Sequence, residues 1–189
     1  KEEVIVYDYI DSHIRILDNM YAKRLRTYKR TGFQVITNNI LTKQSVNSIY
    51  DSGNYMDIFE RDIVEAGKKI IVSSPELTQD KVARFIYLVK PRQEAGVSVT
   101  VITTEPQNIS YGSPEFYQGF MKEMRENGIY VIVRDEVAEH FAVIDDELVW
   151  HGGMNLLGRE DAWDNLMRIR SFQVAEELLE IALVKGKKE

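Results

Sequence analysis

Residues 140–158 read HFAVIDDELVWHGGMNLLG, and this stretch decides the fold. Two apolar runs, residues 141–144 and 148–150, flank the acidic pair Asp145-Asp146, which is typical of a tight turn. The glycine pair Gly152-Gly153 follows the second run and marks a bend. The stretch therefore predicts two adjacent strands joined by a turn, with a polar loop after the second strand.

The chain before this stretch alternates between strand and helix patterns. Apolar, β-branched runs at residues 70–72, 97–103 and 129–133 predict three strands. Apolar residues at helical spacing predict three helices, one before the first of these runs and one between each pair. Their apolar faces are Tyr55, Phe59, Ile63 and Ala66; Val82, Phe85, Ile86 and Val89; and Tyr117, Phe120, Met121 and Met124. Thr78 can cap the second helix. We expect Pro91 and Gly96 to end the second helix. The alternation predicts an α/β fold with a parallel or mixed sheet and helices on its faces.

The two ends of the chain differ from this middle part. After residue 158 we expect a short strand near residues 166–169 and a last helix with Val174, Leu178, Leu179 and Ala182 on one side. Residues 13–28 form a helical stripe that Gly32 ends, and the polar residues 34–53 indicate a linker. We therefore divide the chain into a helical segment, residues 1–45, and an α/β domain, residues 46–189.

Composition and charge exclude several classes of protein. The 189 residues carry a net charge of −6 and no cysteine, which excludes disulfides and cysteine metal sites and fits a reducing, cytoplasmic location. No apolar run is long enough to span a membrane. Lys1 opens the chain without a starting Met or a signal region, so we expect a fragment of a longer protein.

The charge is unevenly distributed. Residues 1–30 hold seven basic and five acidic side chains, a net of +2, which leaves −8 for the rest. The basic face of the first helix predicts a local contact with a nucleic-acid backbone. Its residues are Lys23, Arg24, Arg26, Lys29 and Arg30.

The common self-contained catalytic motifs are absent from this sequence, including the phosphate loop, the dinucleotide turn and the nucleophile elbow. The candidate chemistry lies within sixteen positions, at His140, Asp145, Asp146, His151, Gly152, Gly153 and Asn155. One interpretation is purely structural, with the aspartates forming a turn and the glycines a bend. A metal site formed by His140, His151 and an aspartate is a weaker alternative, because a third histidine ligand is missing.

The same stretch resembles the motif region of the phospholipase D-like superfamily, whose pattern is H-x-K-x4-D-x6-G-[SG]-x-N. Asp145 falls at the motif Asp, and Gly152, Gly153 and Asn155 fall at its glycine-rich end. The motif His is then replaced by Ala138, and the motif Lys by His140. The resemblance implies a phospholipase D-like mixed β-sheet flanked by helices, preceded by a short helical N-terminal segment.

In that superfamily the His attacks phosphorus, while the Lys and Asn hold phosphate oxygens. The resemblance therefore implies a degenerate motif, because Ala138 cannot attack and the position of the supporting Glu appears as Met167. Histidine is also a weaker fixed cation than lysine, since imidazole titrates near neutral pH. The resemblance still implies a phosphate-binding pocket. Its residues would be His140, Gly152, Gly153 and Asn155.

Three other interpretations stay open. A shifted register makes His140 the nucleophile of a phosphodiesterase or nuclease that is active as a homodimer, but it places Ala142 at the Lys and Glu147 at the Asp. A pure oligomerisation or interaction domain needs no phosphate pocket. Tyr111 and Trp163 are candidates for stacking on bases.

The resemblance extends along the chain. KKIIVSSPELT (68–78), GVSVTVIT (96–103) and NGIYVIV (127–133) resemble that superfamily's first three strands, and residues 6–33, 164–169 and 174–180 resemble the C-terminal part of bacterial superfamily 2 helicases. This implies that residues 1–45 are a helical connector or the trailing edge of an upstream helicase motor domain. The motor domains would use ATP and Mg²⁺, whereas this fragment needs no cofactor or metal. The implied partners are DNA or RNA, the motor domains and a second copy in a homodimer, but no membrane.

Overall fold

A computed structural model describes residues 24, 27, 28, 31, 48–110, 112–135, 137, 139–160 and 164–184. The chain divides into two compact units, residues 1–43 and 44–189. In the first unit, Arg24, Thr27 and Tyr28 are helical, and the Thr31 hydroxyl donates to the Thr27 carbonyl over 2.9 Å. The other predicted backbone-binding residues lie outside the described residues: Lys23, Arg26, Lys29 and Arg30.

Seven strands and four α-helices make up the described part of the second unit. The strands are β1 (Ser48–Asp51), β2 (Lys69–Ser73), β3 (Ser98–Thr104), β4 (Tyr130–Arg134), β5 (His140–Ile144), β6 (Leu148–Gly152) and β7 (Asn165–Arg170). The helices are α1 (Met56–Glu65), α2 (Gln79–Glu94), α3 (Pro114–Glu126) and α4 (Phe172–Val184). A short 3-10 helix (Pro106–Asn108) follows β3.

The strands form one mixed sheet in the order β1-β7-β6-β5-β2-β3-β4. Strands β2, β3 and β4 are parallel, and the other neighbours are antiparallel. Helices α1, α2 and α3 cover one face, where Phe59, Phe85 and Met124 join the larger core, and α4 covers part of the other face. The predicted mixed sheet with flanking helices is confirmed.

The predicted hairpin around Asp145 and Asp146 forms as expected. Asp145 and Asp146 both have positive φ, 53° and 67°, a backbone region in which Asp and Asn are enriched. The Glu147 N–H donates to the Ile144 carbonyl over 3.2 Å and closes the turn. The acidic pair therefore fixes where β5 reverses into β6.

The structure differs from the sequence prediction at β1. This strand lies inside the predicted linker, residues 34–53, and pairs antiparallel with β7. Within β1 only Tyr50 is buried, and its ring lies 5.0 Å from that of Trp150. A short edge strand with one buried side chain leaves almost no apolar periodicity, which explains why the pattern indicated a linker.

The end of α2 also differs from the expectation. The helix continues through Pro91 to Glu94 before Gly96, whose φ is 92°, ends it. Pro91 is exposed and lies in the last turn, so the carbonyl left without a helical partner can be hydrated. A proline in this last turn therefore lowers the stability of the helix less than a proline in the helix interior would.

A buried polar network fastens α1 to the sheet. The Asp62 carboxylate accepts two hydrogen bonds from the Arg168 guanidinium, at 2.7 and 2.8 Å, and a third from the Trp150 indole at 2.8 Å. Asp62 is 4% exposed and Arg168 is 7% exposed. Because all three groups are paired, the network tolerates burial and fixes β6 and β7 relative to α1.

Candidate functional site

A cleft of about 570 Å³ lies at one edge of the sheet. The register of β2 with β3 and of β5 with β6 brings the ends of β2, β3, β4 and β6 and the beginning of β5 to this edge. The carboxyl ends of parallel strands are where open α/β sheets usually bind ligands. The lining residues are Pro75, Glu76, Thr104, Asn108, Ile109, Ser110, Asp135, Val137, His140 and Asn155.

Asn155 reaches the cleft from the loop after β6. Its Oδ1 accepts a hydrogen bond from the Glu76 backbone N–H over 3.3 Å. This contact orients the amide, so that Nδ2 is the atom left to act as a donor. Among the described residues, this nitrogen donates to no other group. Asn155 is therefore positioned to donate to an oxygen of a ligand in the cleft.

His140 reaches the same cleft from the first position of β5. Its Nδ1 donates to the Gly153 carbonyl over 2.5 Å, which fixes the ring and assigns the Nδ1–H tautomer to the neutral form. Nε2 is then the nitrogen available to a ligand, as a lone pair when the ring is neutral and as an N–H donor when it is protonated. The structure thus brings together two of the residues predicted to bind phosphate.

The glycines of the loop have a steric role. A Cβ on Gly152 would overlap the Asn165 carbonyl oxygen, and one on Gly158 would lie 2.7 Å from the Glu76 carbonyl oxygen. The Gly153 N–H donates to the Asn165 carbonyl over 3.2 Å, so this N–H group is not free to donate to a phosphate. The glycines allow close backbone contacts, and Gly153 orients His140 through its carbonyl.

Asp145 lies at the opposite edge of the sheet, at the far end of β5 from His140. Its carboxylate accepts hydrogen bonds from the N–H groups of Gly67, Lys68 and Lys69, at 2.8, 2.7 and 3.1 Å. Burial on its own would raise the pKa of the Asp145 carboxyl, but these three donors outweigh it and lower that pKa below its usual value. The motif aspartate therefore fastens the hairpin to the beginning of β2.

The alternative metal site is not formed. His140 and His151 occupy adjacent cross-strand positions, so their side chains point to opposite faces of the sheet. His151 Nε2 instead lies 3.1 Å from the Glu139 carboxylate. In the ranges that the structure describes, no group of three or more His, Asp or Glu side chains is placed to hold a metal ion.

The position matched to the supporting carboxylate also lies away from the cleft. Met167, on β7, is the cross-strand partner of His151, on β6. Its side chain therefore lies on the same face of the sheet as His151, opposite to the face of His140. The carboxylate nearest to the glycine pair belongs to Asp164, whose Oδ1 would lie 2.7 Å from a Cβ on Gly153. Ala138, Tyr111 and Trp163 lie outside the described residues.

Sequence reasoning missed the acidic lining of the cleft. Glu76 and Asp135 follow the ends of β2 and β4, and both line it. The available signal was their position directly after predicted parallel strands, which is where side chains reach a site at the sheet edge. They make the cleft less favourable for anions than Asn155 and His140 alone would indicate.

Several hydrogen bonds hold Pro75 and Glu76 in place on one side of the cleft. The Tyr117 hydroxyl donates to the Pro75 carbonyl and lies 2.9 Å from the Thr103 hydroxyl, and Ser74 Oγ donates to the Glu76 carbonyl over 2.8 Å. Burial raises the pKa of the Tyr117 hydroxyl to about 12, so it remains protonated and able to donate. We call residues Pro75 and Glu76 the ridge.

Comparison with solved structures identifies the fold. Nuc, a phospholipase D family member from Salmonella typhimurium, is similar at 17% identity over 76% of this chain and 97% of its own, with a TM-score of 0.58. NucT from Helicobacter pylori is similar at 15% identity over 74% of this chain and 96% of its own, with a TM-score of 0.54. The archaeal chromatin protein TrmBL2 is similar at 15% identity over 93% of this chain and 66% of its own, with a TM-score of 0.52.

No known family profile and no curated protein matches the chain. At these identities the structural likeness shows the fold, and the α/β domain has a phospholipase D-like architecture. Among the helices in the described ranges, none combines the length and apolar character needed to cross a bilayer.

Proposed function

We propose that residues 46–189 form a phospholipase D-like accessory module that binds a backbone phosphate of nucleic acid without cleaving it. The observation that carries the proposal is the convergence of Asn155 and His140 on one cleft of this fold. Asn155 supplies a neutral donor, and protonated His140 supplies a charged one. At the position where the motif has its attacking histidine, the sequence has Ala138.

The charge of the cleft favours a phosphodiester over a free phosphate. Glu76 and Asp135 contribute carboxylates to the lining, while His140 is its one basic side chain within the described residues. A phosphodiester carries one negative charge, whereas a phosphate monoester carries close to two near neutral pH. Repulsion by two carboxylates therefore disfavours the monoester more strongly, which fits an internal nucleic-acid phosphate.

We further propose that this module follows the motor of a cytoplasmic helicase, with residues 1–45 as the connector. The support is the sequence resemblance of residues 6–33, 164–169 and 174–180 to the C-terminal part of superfamily 2 helicases. The structure of TrmBL2, which has a similar fold, is described as showing a novel mode of DNA binding. The partners are accordingly DNA or RNA and the upstream motor domains, which would use ATP and Mg²⁺.

A phosphodiesterase that uses His140 is the second candidate. One observation favours this candidate: the Gly153 carbonyl holds Nδ1 of His140, which leaves Nε2 available as a nucleophile or general base. This candidate would act as a homodimer with paired sites. An assembly domain with no phosphate contact is a third, and the experiment below separates all three.

The test replaces Asn155 by Asp, because this change keeps the Oδ1 acceptor for the Glu76 N–H, removes the Nδ2 donor and adds one negative charge. We expect oligonucleotide affinity, measured by fluorescence anisotropy at low salt, to fall at least about ten-fold, which is the size of a lost charge-assisted hydrogen bond plus added repulsion. Asn127→Asp adds the same charge at the opposite edge of the sheet and should change affinity little.

Each result decides between the candidates. Equal affinity of the Asn155→Asp variant and the parent chain would rule out the phosphate cleft. Cleavage of the oligonucleotide that disappears in His140→Ala would establish the phosphodiesterase instead. Binding and cleavage both absent would leave the assembly domain. As a positive counterpart, Asp135→Asn should raise affinity, because it removes one repulsive charge from the cleft.

A further inference from the structure

A second groove, of about 350 Å³, borders the phosphate cleft. Glu76 of the ridge lines both cavities and separates them, while Pro75 lines only the first. The second groove lies between the beginnings of α2 and α3. Its lining includes Thr78, Phe116, Phe120 and Arg159. We call it the aromatic groove.

The ridge holds the two cavities at a fixed separation. Pro75 is hydrogen-bonded to Tyr117 of α3, and the Glu76 backbone is hydrogen-bonded on one side to Ser74 and on the other to Asn155. A ligand group in the aromatic groove therefore has a defined position relative to one held by Asn155. This arrangement suits a chain-like ligand that places successive groups in neighbouring cavities.

The aromatic groove has the chemistry of a base-binding surface. Phe116 is 72% exposed, and Phe120, which is partly buried against the core, also lines the groove. A single exposed aromatic residue is common on protein surfaces and carries no meaning alone. Here it lies in a concave groove with the cationic Arg159 beside a phosphate cleft. Aromatic faces and basic side chains along one track are how proteins hold single strands.

We propose that the aromatic groove receives one unpaired nucleobase, stacked on Phe116, next to the phosphate held by Asn155. This inference rests on the proposed function and deepens it, because it names the substrate class as single-stranded nucleic acid. A base within a duplex is stacked and paired, and extruding it costs a few kcal/mol. Single strands offer the base without that cost, so the module should prefer them to duplexes.

The groove also gives Glu76 a part in recognition. A carboxylate accepts hydrogen bonds from exocyclic amino groups, which cytosine and adenine carry and thymine lacks. A base in the aromatic groove would meet Glu76 on the shared ridge. We therefore expect oligo(dC) to bind more tightly than oligo(dT), and Glu76→Gln to reduce this difference, since an amide accepts less strongly than a carboxylate.

The decisive variant is Phe116→Ala, with Phe172→Ala as its matched control. Phe172 is also an exposed phenylalanine, at 63%, but it lies on α4 and lines neither cavity. By fluorescence anisotropy, Phe116→Ala should weaken single-strand binding about ten-fold, the usual effect of losing one base–aromatic stack. Duplex affinity should stay unchanged, and Phe172→Ala should change neither.

The outcomes separate this inference from the proposed function. Asn155→Asp should weaken binding of strand and duplex alike, whereas Phe116→Ala should affect the strand alone. Unchanged single-strand affinity in Phe116→Ala would overturn the base-binding groove and leave the phosphate cleft standing. An equal loss for strand and duplex would also overturn it. A loss in Phe116→Ala with none in Asn155→Asp would support the groove and overturn the cleft.

Discussion

Asp145 occupies the aspartate position of the motif, but in this structure it stabilises the backbone. Its carboxylate satisfies three backbone N–H groups at the beginning of β2, and its φ of 53° places it in a turn. These N–H groups lie at the point where β2 begins, at Lys69. Removing the carboxylate would leave them to solvent and loosen the hairpin from β2.

We expect Asp145→Asn to destabilise the domain by about 1–2 kcal/mol. Asparagine tolerates positive φ but offers one acceptor oxygen in place of two, and the value allows for the partial exposure of the site. Chemical denaturation monitored by circular dichroism measures the change. Asp146→Asn is the matched control, because Asp146 forms a half-exposed ion pair with Lys69 and should cost less than about 1 kcal/mol.

The lowered pKa of Asp145 gives a signature in pH. Its folded-state pKa lies below the unfolded one, so its contribution is complete above the ordinary carboxyl range and is lost as pH falls through the folded value. The stability difference between parent and Asp145→Asn should therefore shrink on acidification below about pH 4. A constant difference from pH 7 to pH 3 would show that the charge of Asp145 contributes nothing.

At the scale of elements, the junction of β6 with β7 determines the shape of the site. Gly152 lies where the β7 backbone approaches most closely, and the loop that follows carries Asn155. The Asp62–Arg168 pair holds the same two strands against α1. The cleft is therefore positioned both by packing between secondary-structure elements and by the hydrogen bonds of the ridge.

Gly152→Ala should destabilise the domain by about 1–3 kcal/mol, the usual cost of forcing an extra group into a close-packed position. Gly119→Ala provides a control of opposite sign. Gly119 lies within α3 with open space around its Cα, so a methyl group there should stabilise by about 0.5–1 kcal/mol. Thermal unfolding of both variants tests the contrast, and equal shifts would contradict the packing argument.

The sequence predicted the long elements because burial leaves periodic apolar patterns. All four residues of the α2 stripe, among them Val82 and Val89, are buried. Such patterns do not report on β1, with its single buried Tyr50, or on the ridge, which is fixed by hydrogen bonds between distant residues. His140 and Asn155 could be proposed from the motif, but their shared cleft could not, since it depends on strand register.

Across the whole molecule, acidic and basic charges are separated along the chain. The net charge is −6, yet residues 1–30 carry a net of +2. A predominantly acidic domain repels nucleic acid at long range, so binding needs a local basic contact in addition to the cleft. The basic residues around Lys23 and Arg26 are our proposed source of that contact.

The double variant Lys23→Glu with Arg26→Glu should lower the salt dependence of oligonucleotide binding. Each lost phosphate contact reduces the slope of log affinity against log salt by about 0.7–0.9. Two contacts thus predict a slope smaller by about 1.5, measured by anisotropy between about 50 and 200 mM salt. The control, Lys122→Glu with Arg125→Glu on α3, changes net charge equally. Equal slopes in the two double variants would place the contact elsewhere.

The position of Asp145 at the far end of its strand from the cleft has a consequence for assigning activity from motifs. Asp145 and Gly152 serve hairpin formation and strand packing, so selection for a stable fold would keep both in a catalytic and in a non-catalytic domain alike. A search that rewards these two positions detects inherited architecture. The motif positions occupied here by Ala138 and His140 are the ones that distinguish a working enzyme from a domain that has the fold alone.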